Sequence, residues 1–238
     1  MLIWVAATFL SSLVKGLCGF ANAIVFNAML NFANNPVEIS PVCLLIGAPT
    51  NMVLSWKGRK LIRKELVALP ILLILIGSFL GAMALKNGDA RIIKMVFGFF
   101  IAAMGGSMLL KRNKKEQKKP GKLFLYGVGL LSGLLCGLYG VGAMMSAYFS
   151  RVTEDTASFK ANMCFVFVIE NVVRLVTYAV SGLMTAGVLL KGAVLLPVSF
   201  LGLAAGMLMA KKLDEKKAKL LIYVLLIISG VVLIAQNL

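Results

Sequence analysis

Three charged side chains lie inside apolar stretches of this sequence and are the first candidates for chemistry. Lys15 interrupts the first apolar run, and Glu170 and Arg174 lie four residues apart in a later one. Charges in such stretches are costly and usually face a cavity or an ion path. Two cations and one carboxylate favour a small anion, and the planar Arg174 side chain matches carboxylate or sulfonate oxygens. The alternative is that Glu170 and Arg174 share one helix face as a neutral pair that only fixes packing.

The composition is that of a polytopic membrane protein. Hydrophobic residues make up 60% of the 238 residues and charged residues only 14%, against about 45–50% and about 25% in soluble domains. Two uncharged runs, 66–85 and 192–210, are each long enough to cross a bilayer. The sequence therefore predicts an all-α membrane protein that spans the bilayer several times.

Composition also argues against other classes of function. The net charge of +16 comes from short loop clusters, so we expect no nucleic-acid partner. The chain has no histidine, no CxxC spacing and no acidic cluster, so we expect no metal, no cofactor and no enzymatic activity. The cysteines lie in apolar segments and are predicted to be small buried side chains: Cys18, Cys43, Cys136 and Cys164.

The chain divides into two similar halves, residues 1–111 and 122–238, joined by a basic linker at 112–121. Corresponding landmarks are separated by 120 to 125 residues. They are GLCGFA at Gly16 and GLYGVG at Gly137, GSFLGA at Gly77 and GLAAGM at Gly202, and Asn51 and Asn171. Such offsets indicate a duplication, which is common in transporters. The paired small-xxx-small motifs are typical of helix-packing faces.

Each half begins with a long apolar stretch that is followed by three ordinary spans. The leading stretch of the second half, 123–149, has 27 uncharged residues and six glycines between positions 127 and 142. It is too long for one untilted span and too short for two full ones. It is either a single tilted helix or two half-helices that meet at the glycines and leave on the side where they entered.

Loop charges favour the second alternative. If both leading stretches cross the membrane, the basic residues divide 13 against 10 between the two sides. If both turn back, they divide 19 against 4, which the positive-inside rule prefers. We therefore predict re-entrant leading helices, two inverted repeats, outward-facing termini and a cytoplasmic basic linker.

A re-entrant break exposes backbone N–H groups at the start of its second half-helix, which is a ready anion site. Asn51 and Asn171 lie at matching depth in equivalent spans, and Thr50 is adjacent to the first of them. The candidate substrate-binding residues are Lys15, Gly16, Gly19, Asn22, Thr50, Asn51, Gly140, Gly142, Asn171 and Arg174. Glu170 is the one carboxylate at mid-depth and is the candidate for coupling transport to protons.

The glycine turns, the matched GxxxG motifs, the basic loop after the second span and the two-half layout resemble the sulfite exporter TauE/SafE family of membrane permeases. The resemblance covers residues 1 to about 236. It implies transport of small sulfur anions such as sulfite, sulfoacetate or related sulfonates across a prokaryotic inner or plasma membrane. Family members often have further glycines where this chain has Ala21 and Asn22.

Three other functions compete with a secondary transporter. A passive channel would need a continuous polar lining, whereas the mid-depth polar residues here are sparse. An integral-membrane enzyme would need a nucleophile or an acid–base pair. A scaffold would not need intramembrane charges. The expected partners are a small anion, the lipid bilayer and protons or another coupling ion, and the sequence leaves a homodimer, the substrate and the transport direction open.

Overall fold

The computed structural model describes residues 1–19, 21–32, 34–110 and 122–210, with isolated positions at 227, 231 and 234–235. Within these ranges the chain is helical, with one short 3₁₀ turn at Arg59–Leu61. The helices are α1 (Leu2–Cys18), α2 (Asn22–Leu30), α3 (Pro36–Lys57), α4 (Lys64–Asn87), α5 (Ala90–Leu110), α6 (Lys122–Tyr139), α7 (Ala143–Val152), α8 (Thr156–Val180) and α9 (Ala186–Met209).

Four of these helices, α3, α4, α8 and α9, are long and apolar enough to cross a membrane, and α1 and α6 contain shorter apolar segments. Large apolar side chains are exposed along them, as expected for surfaces that contact lipid. The chain is therefore an all-α, multi-pass membrane protein, as its composition predicts. The basic linker at 112–121 and most of the last predicted span lie outside the described residues.

Each leading stretch is broken into two helices at its glycines. Helix α1 ends at Gly19, whose φ of 85° is left-handed, and α2 begins after Ala21. Helix α6 ends at Gly140, with φ of 73°, and α7 begins after Gly142. Glycine adopts these angles without the Cβ clash that other residues meet, so the two breaks lie where the sequence predicts them.

In the first half, α2 contacts α1 across the break. The rings of Trp4, at the start of α1, and Phe26, in the middle of α2, are in edge-to-face contact at 5.9 Å. These residues lie on opposite sides of the break, about 15 residues before it and about five after it. If the two helices continued in one direction, a rise of about 1.5 Å per residue would place the rings about 30 Å apart. The two helices therefore do not continue in one direction.

Two glycine seams join the first half to the second. A Cβ at Gly16 on α1 would lie 2.5 Å from the Leu203 carbonyl oxygen on α9, and Gly202 of the GLAAGM motif contacts α1. In the same way, a Cβ at Gly133 on α6 would lie 2.5 Å from the Ile74 carbonyl oxygen on α4. Backbones that approach so closely leave no space for a side chain, so the small-xxx-small motifs are helix-packing faces as predicted.

Helices α3 and α8 pack against each other between the two seams, and each also contacts the seam helix of the other half, α9 or α4. One basic residue lies in a different place from its sequence assignment. Lys160, which the charge count places in a loop, is in the second turn of α8 and contacts the end of α1. Removing it from the count changes 19 against 4 to 18 against 4, so the bias persists.

Candidate functional site

A cavity lies where the two helix breaks face α3 and α8. The open space at this point, including the space at its mouth, is about 480 Å³. Its polar lining comes from both halves. The lining residues are Lys15, Gly19, Ala21, Asn22, Ala23, Ile24, Cys43, Gly47, Asn51, Gly140, Val141, Gly142, Met163, Phe167, Glu170, Asn171 and Arg174.

Most of the residues selected from the sequence line this cavity, including all three intramembrane charges. Two do not. Gly16 lies in the seam between α1 and α9, where it allows the backbones to touch. Thr50 lies behind Lys15 and accepts a hydrogen bond from its ammonium group. The structure therefore assigns Gly16 to helix packing and Thr50 to holding Lys15, and it places both outside the cavity lining.

Lys15 enters the cavity as a buried cation without an acidic partner. Its side chain is 1% exposed. Its Nζ donates to the Thr50 hydroxyl at 2.7 Å and to the Gly47 carbonyl oxygen at 3.1 Å. Since an ammonium group has three N–H donors, one remains available. Among the described residues, Lys15 has no carboxylate within ion-pair distance.

Arg174, on α8, differs from Lys15 because its charge is paired. Its Nε lies 3.3 Å from Glu170 Oε1, and these side chains are 4% and 1% exposed. Glu170 also accepts a hydrogen bond of 2.7 Å from the Ser78 hydroxyl on α4. Arg174 Nη2 donates to Asn171 Oδ1 at 3.1 Å, which directs the Asn171 Nδ2 away from the guanidinium. That Nδ2 is buried and has no hydrogen-bond partner in the described part of the chain.

The N-termini of α2 and α7 also reach the cavity. The residue preceding each helix, Ala21 or Gly142, lines it, and neither supplies a side-chain cap. The first N–H groups of a helix lack intrahelical acceptors, and the helix dipole adds partial positive charge there. Ala21 adopts a left-handed φ of 72°, an unusual angle for a residue with a Cβ. The cavity thus presents mainly donors and positive potential, which suits an anion.

Helix α8 holds both breaks with basic side chains. Lys160 Nζ donates to the Leu17 carbonyl oxygen at 3.1 Å, and its methylene groups lie over Gly19. Arg174 Nη1 donates to the Cys136 carbonyl oxygen and lies over Gly140. In each case a cation caps the negative end of a helix. A single element therefore positions both turns of the cavity.

The buried C-terminus of α6 is capped completely. The last carbonyl oxygens of a helix need partners outside it, and water is scarce at membrane depth. The four final carbonyl oxygens of α6 each accept a hydrogen bond from a side chain of another helix. The donors to Cys136, Gly137, Leu138 and Tyr139 are, in that order, Arg174, Tyr178, Ser40 and Asn27. Because Ser40 and Asn27 belong to the first half, this break is fixed by both halves.

A family model confirms the resemblance that the motifs indicate. The model of the sulfite exporter TauE/SafE family matches residues 4–233, nearly the whole chain. The chain belongs to the sulfite exporter TauE/SafE family. Membership indicates a membrane transporter of sulfur anions. Comparisons with curated proteins and with solved structures gave no match.

Several polar contacts of this TauE/SafE family member could not be selected from its sequence. Ser78, Ser40 and Asn27 are ordinary polar residues in apolar helices, and nothing in their spacing identifies the group that they contact. Lys160 looks like one more loop charge. The sequence does indicate that such contacts exist, because a helix that ends within a buried stretch must have donors for its last carbonyl groups.

Proposed function

We propose that this chain is a secondary transporter for a small sulfur oxyanion, either sulfite or an organosulfonate such as sulfoacetate, in a prokaryotic inner or plasma membrane. The observation that carries the proposal is the set of unused donors around one cavity. Lys15 keeps a free N–H, the Asn171 side-chain NH₂ group has no acceptor among the described residues, and two helix N-termini have no side-chain cap. An oxyanion with three oxygen atoms can accept hydrogen bonds from several of these groups at once.

Arg174 adds directional donors to this set. A guanidinium has five N–H groups in a fixed plane. One on each terminal nitrogen is used, for the Cys136 carbonyl oxygen and for Asn171, and Nε faces Glu170. One N–H on each terminal nitrogen remains available. Two donors in one plane match two oxygens of a sulfonate or sulfite group.

The leading helix pairs are re-entrant in this proposal, and the halves are inverted repeats. The Trp4–Phe26 contact supports a reversal in the first half. In the second half, α6 runs parallel to α4, since Gly133 and Gly137 lie beside Gly77 and Gly81 respectively. The start of α6 is therefore near the start of α4, and the residues after α7 return to the same place, where Glu154 pairs with Arg63 at 3.7 Å.

Cysteine labelling tests this topology in a variant that lacks the native cysteines. Single cysteines replace the exposed residues Leu2 and Phe32, which flank the first pair, and Leu123 and Glu154, which flank the second. An impermeant reagent applied from outside should label the first two sites and neither of the last two. Labelling of only one member of either pair would mean that the pair crosses the membrane completely.

Glu170 is the proposed coupling residue. It is the one buried carboxylate among the described residues, and its partner Arg174 also faces the substrate. An anion that draws Arg174 away would leave Glu170 free to take a proton, so anion and proton binding would be linked. In Glu170→Gln, substrate exchange should continue while accumulation driven by a pH gradient is lost. Persistence of both activities would leave Glu170 as a structural partner of Arg174.

Transport in proteoliposomes tests the function itself. Uptake of labelled sulfite should saturate, and sulfoacetate, thiosulfate and simple carboxylates are compared as competitors. Lys15→Met should lose saturable uptake, whereas Lys60→Met, which removes an equal charge from an exposed turn, should retain it. Uptake that rises linearly with concentration, or that only carboxylates inhibit, would contradict the proposal.

A further inference from the structure

We propose that the cavity is built for an anion that carries a single negative charge, and this inference rests on the proposed function because it concerns the same site. Its basis is the pairing of the charges that surround the cavity. Each buried charge in a low-dielectric environment needs a counter-charge or it is strongly disfavoured. The described lining contains two cations and one carboxylate, so one counter-charge is missing.

The cation that lacks a counter-charge can be identified. Arg174 already has Glu170 at 3.3 Å, and the Ser78 hydroxyl donates to Glu170, which favours the ionised carboxylate. This pair is neutral as a unit. Lys15 has only the oxygen atoms of Thr50 and Gly47, which are uncharged. A monoanion beside Lys15 therefore completes the charge balance of the cavity.

A dianion does not complete it. Its second negative charge could approach the free N–H groups of Arg174, but the positive charge of that guanidinium is already balanced by Glu170. The dianion would either lie near a like charge or displace Glu170 from its partner, and both are costly in a buried site. Among the substrates of the proposed function, the site thus favours hydrogensulfite or a simple monosulfonate and disfavours sulfoacetate, which carries two negative charges.

Two pairs of ligands separate charge from shape. Sulfoacetate and its amide, 2-sulfoacetamide, have nearly the same size and differ by one charge. Malonate and its monoamide, malonamate, repeat the comparison without sulfur. Binding is measured by calorimetry on the purified full chain at one neutral pH. The wild-type protein should bind the amide of a pair at least tenfold more tightly than the corresponding dianion.

The variant Glu170→Gln removes the carboxylate of the lining and so leaves two unpaired cations. Its preference should move at least tenfold toward the dianions. Glu170→Asp keeps the charge and should keep the wild-type preference, which controls for a general disturbance of the site. Equal binding of both members of a pair by the wild-type protein, or an unchanged ratio in Glu170→Gln, would overturn the inference.

The two proposals fail in different ways. If the carboxylate pair binds with the expected preference, neither sulfur compound binds and sulfite uptake does not saturate, the charge inference stands and the proposed substrate is wrong. If the sulfur compounds bind and the dianion binds as tightly as the amide, the proposed function stands and the charge inference is wrong. Binding of none of the four ligands, together with sulfite uptake that does not saturate, would refute both.

Discussion

Replacing Lys15 should weaken anion binding without weakening the fold. In Lys15→Met the anion loses one hydrogen bond to a charged donor, which is worth about 1.5–3 kcal/mol. That corresponds to an increase in Kd of about 10- to 150-fold. No group is left without a partner, because the Thr50 hydroxyl still donates to the Gly47 carbonyl oxygen at 2.7 Å. Since an unpaired buried charge disappears, the melting temperature should stay the same or rise.

Arg174 provides the contrasting case. Arg174→Met removes a cavity donor as well, but it also leaves Glu170 as an unpaired buried carboxylate and removes a cap from the Cys136 carbonyl group. Breaking a buried ion pair from one side costs about 3–5 kcal/mol. For a chain of this length that lowers the melting temperature by about 6–20 °C. Lys15→Met and Arg174→Met should therefore separate an effect on binding from an effect on stability.

Both quantities can be measured on the same preparations. Each variant is purified in detergent, its unfolding is followed by circular dichroism, and sulfite binding is measured by calorimetry. Lys60→Met serves as the control, since it removes a lysine from an exposed turn. Wild-type affinity in Lys15→Met would refute the assignment of Lys15 to the anion. Wild-type stability in Arg174→Met would refute the structural role of the ion pair.

Three further pairs of substitutions test the helix breaks and seams by thermal unfolding and sulfite binding. Gly140→Ala should lower stability and affinity more than Gly182→Ala, because both glycines have a left-handed φ but only the first adjoins the cavity arginine; equal losses would contradict that contact. Lys160→Met should weaken sulfite binding, whereas Lys160→Arg, which keeps the charge, should bind sulfite as the wild type does. Weaker binding in both variants would mean that the packing of Lys160 matters and its charge does not. Gly133→Ala should destabilise the protein, because Gly133 lies in the seam. Gly127→Ala, in open space on the same helix, should stabilise the protein by about 0.5–1 kcal/mol. Equal effects of the two substitutions would argue against the seam.

The positions of the charged residues could be predicted because the sequence around them is apolar. A charged residue that interrupts an apolar run of membrane-spanning length can be identified without any structure. The three charges identified in this way, Lys15, Glu170 and Arg174, all line the cavity. The helix breaks could be predicted on similar grounds, since clustered glycines within a long apolar stretch weaken a helix. These features depend on local sequence alone.

The pairing of helices could not be predicted in the same way. A small-xxx-small motif shows that a helix has a flat face, but many helices can pack against it. Within the described residues, Gly16 lies against α9 and Gly77 lies against α6, so each motif packs on the opposite half of the chain. The side chains that cap the breaks depend on these pairings. That is why Lys160, Ser40 and Asn27 acquire roles that their own spacing does not indicate.

The two halves of the chain supply different charges to the cavity. The first half provides Lys15 held by neutral oxygen atoms, whereas the second provides Arg174 held by a carboxylate. Two copies of the unpaired arrangement would leave two buried cations, and two copies of the paired one would leave no net charge to attract an anion. Because the copies differ, the cavity combines one unpaired cation with one fixed guanidinium. In the proposed function, this difference between the halves is the feature that makes the site selective for an anion.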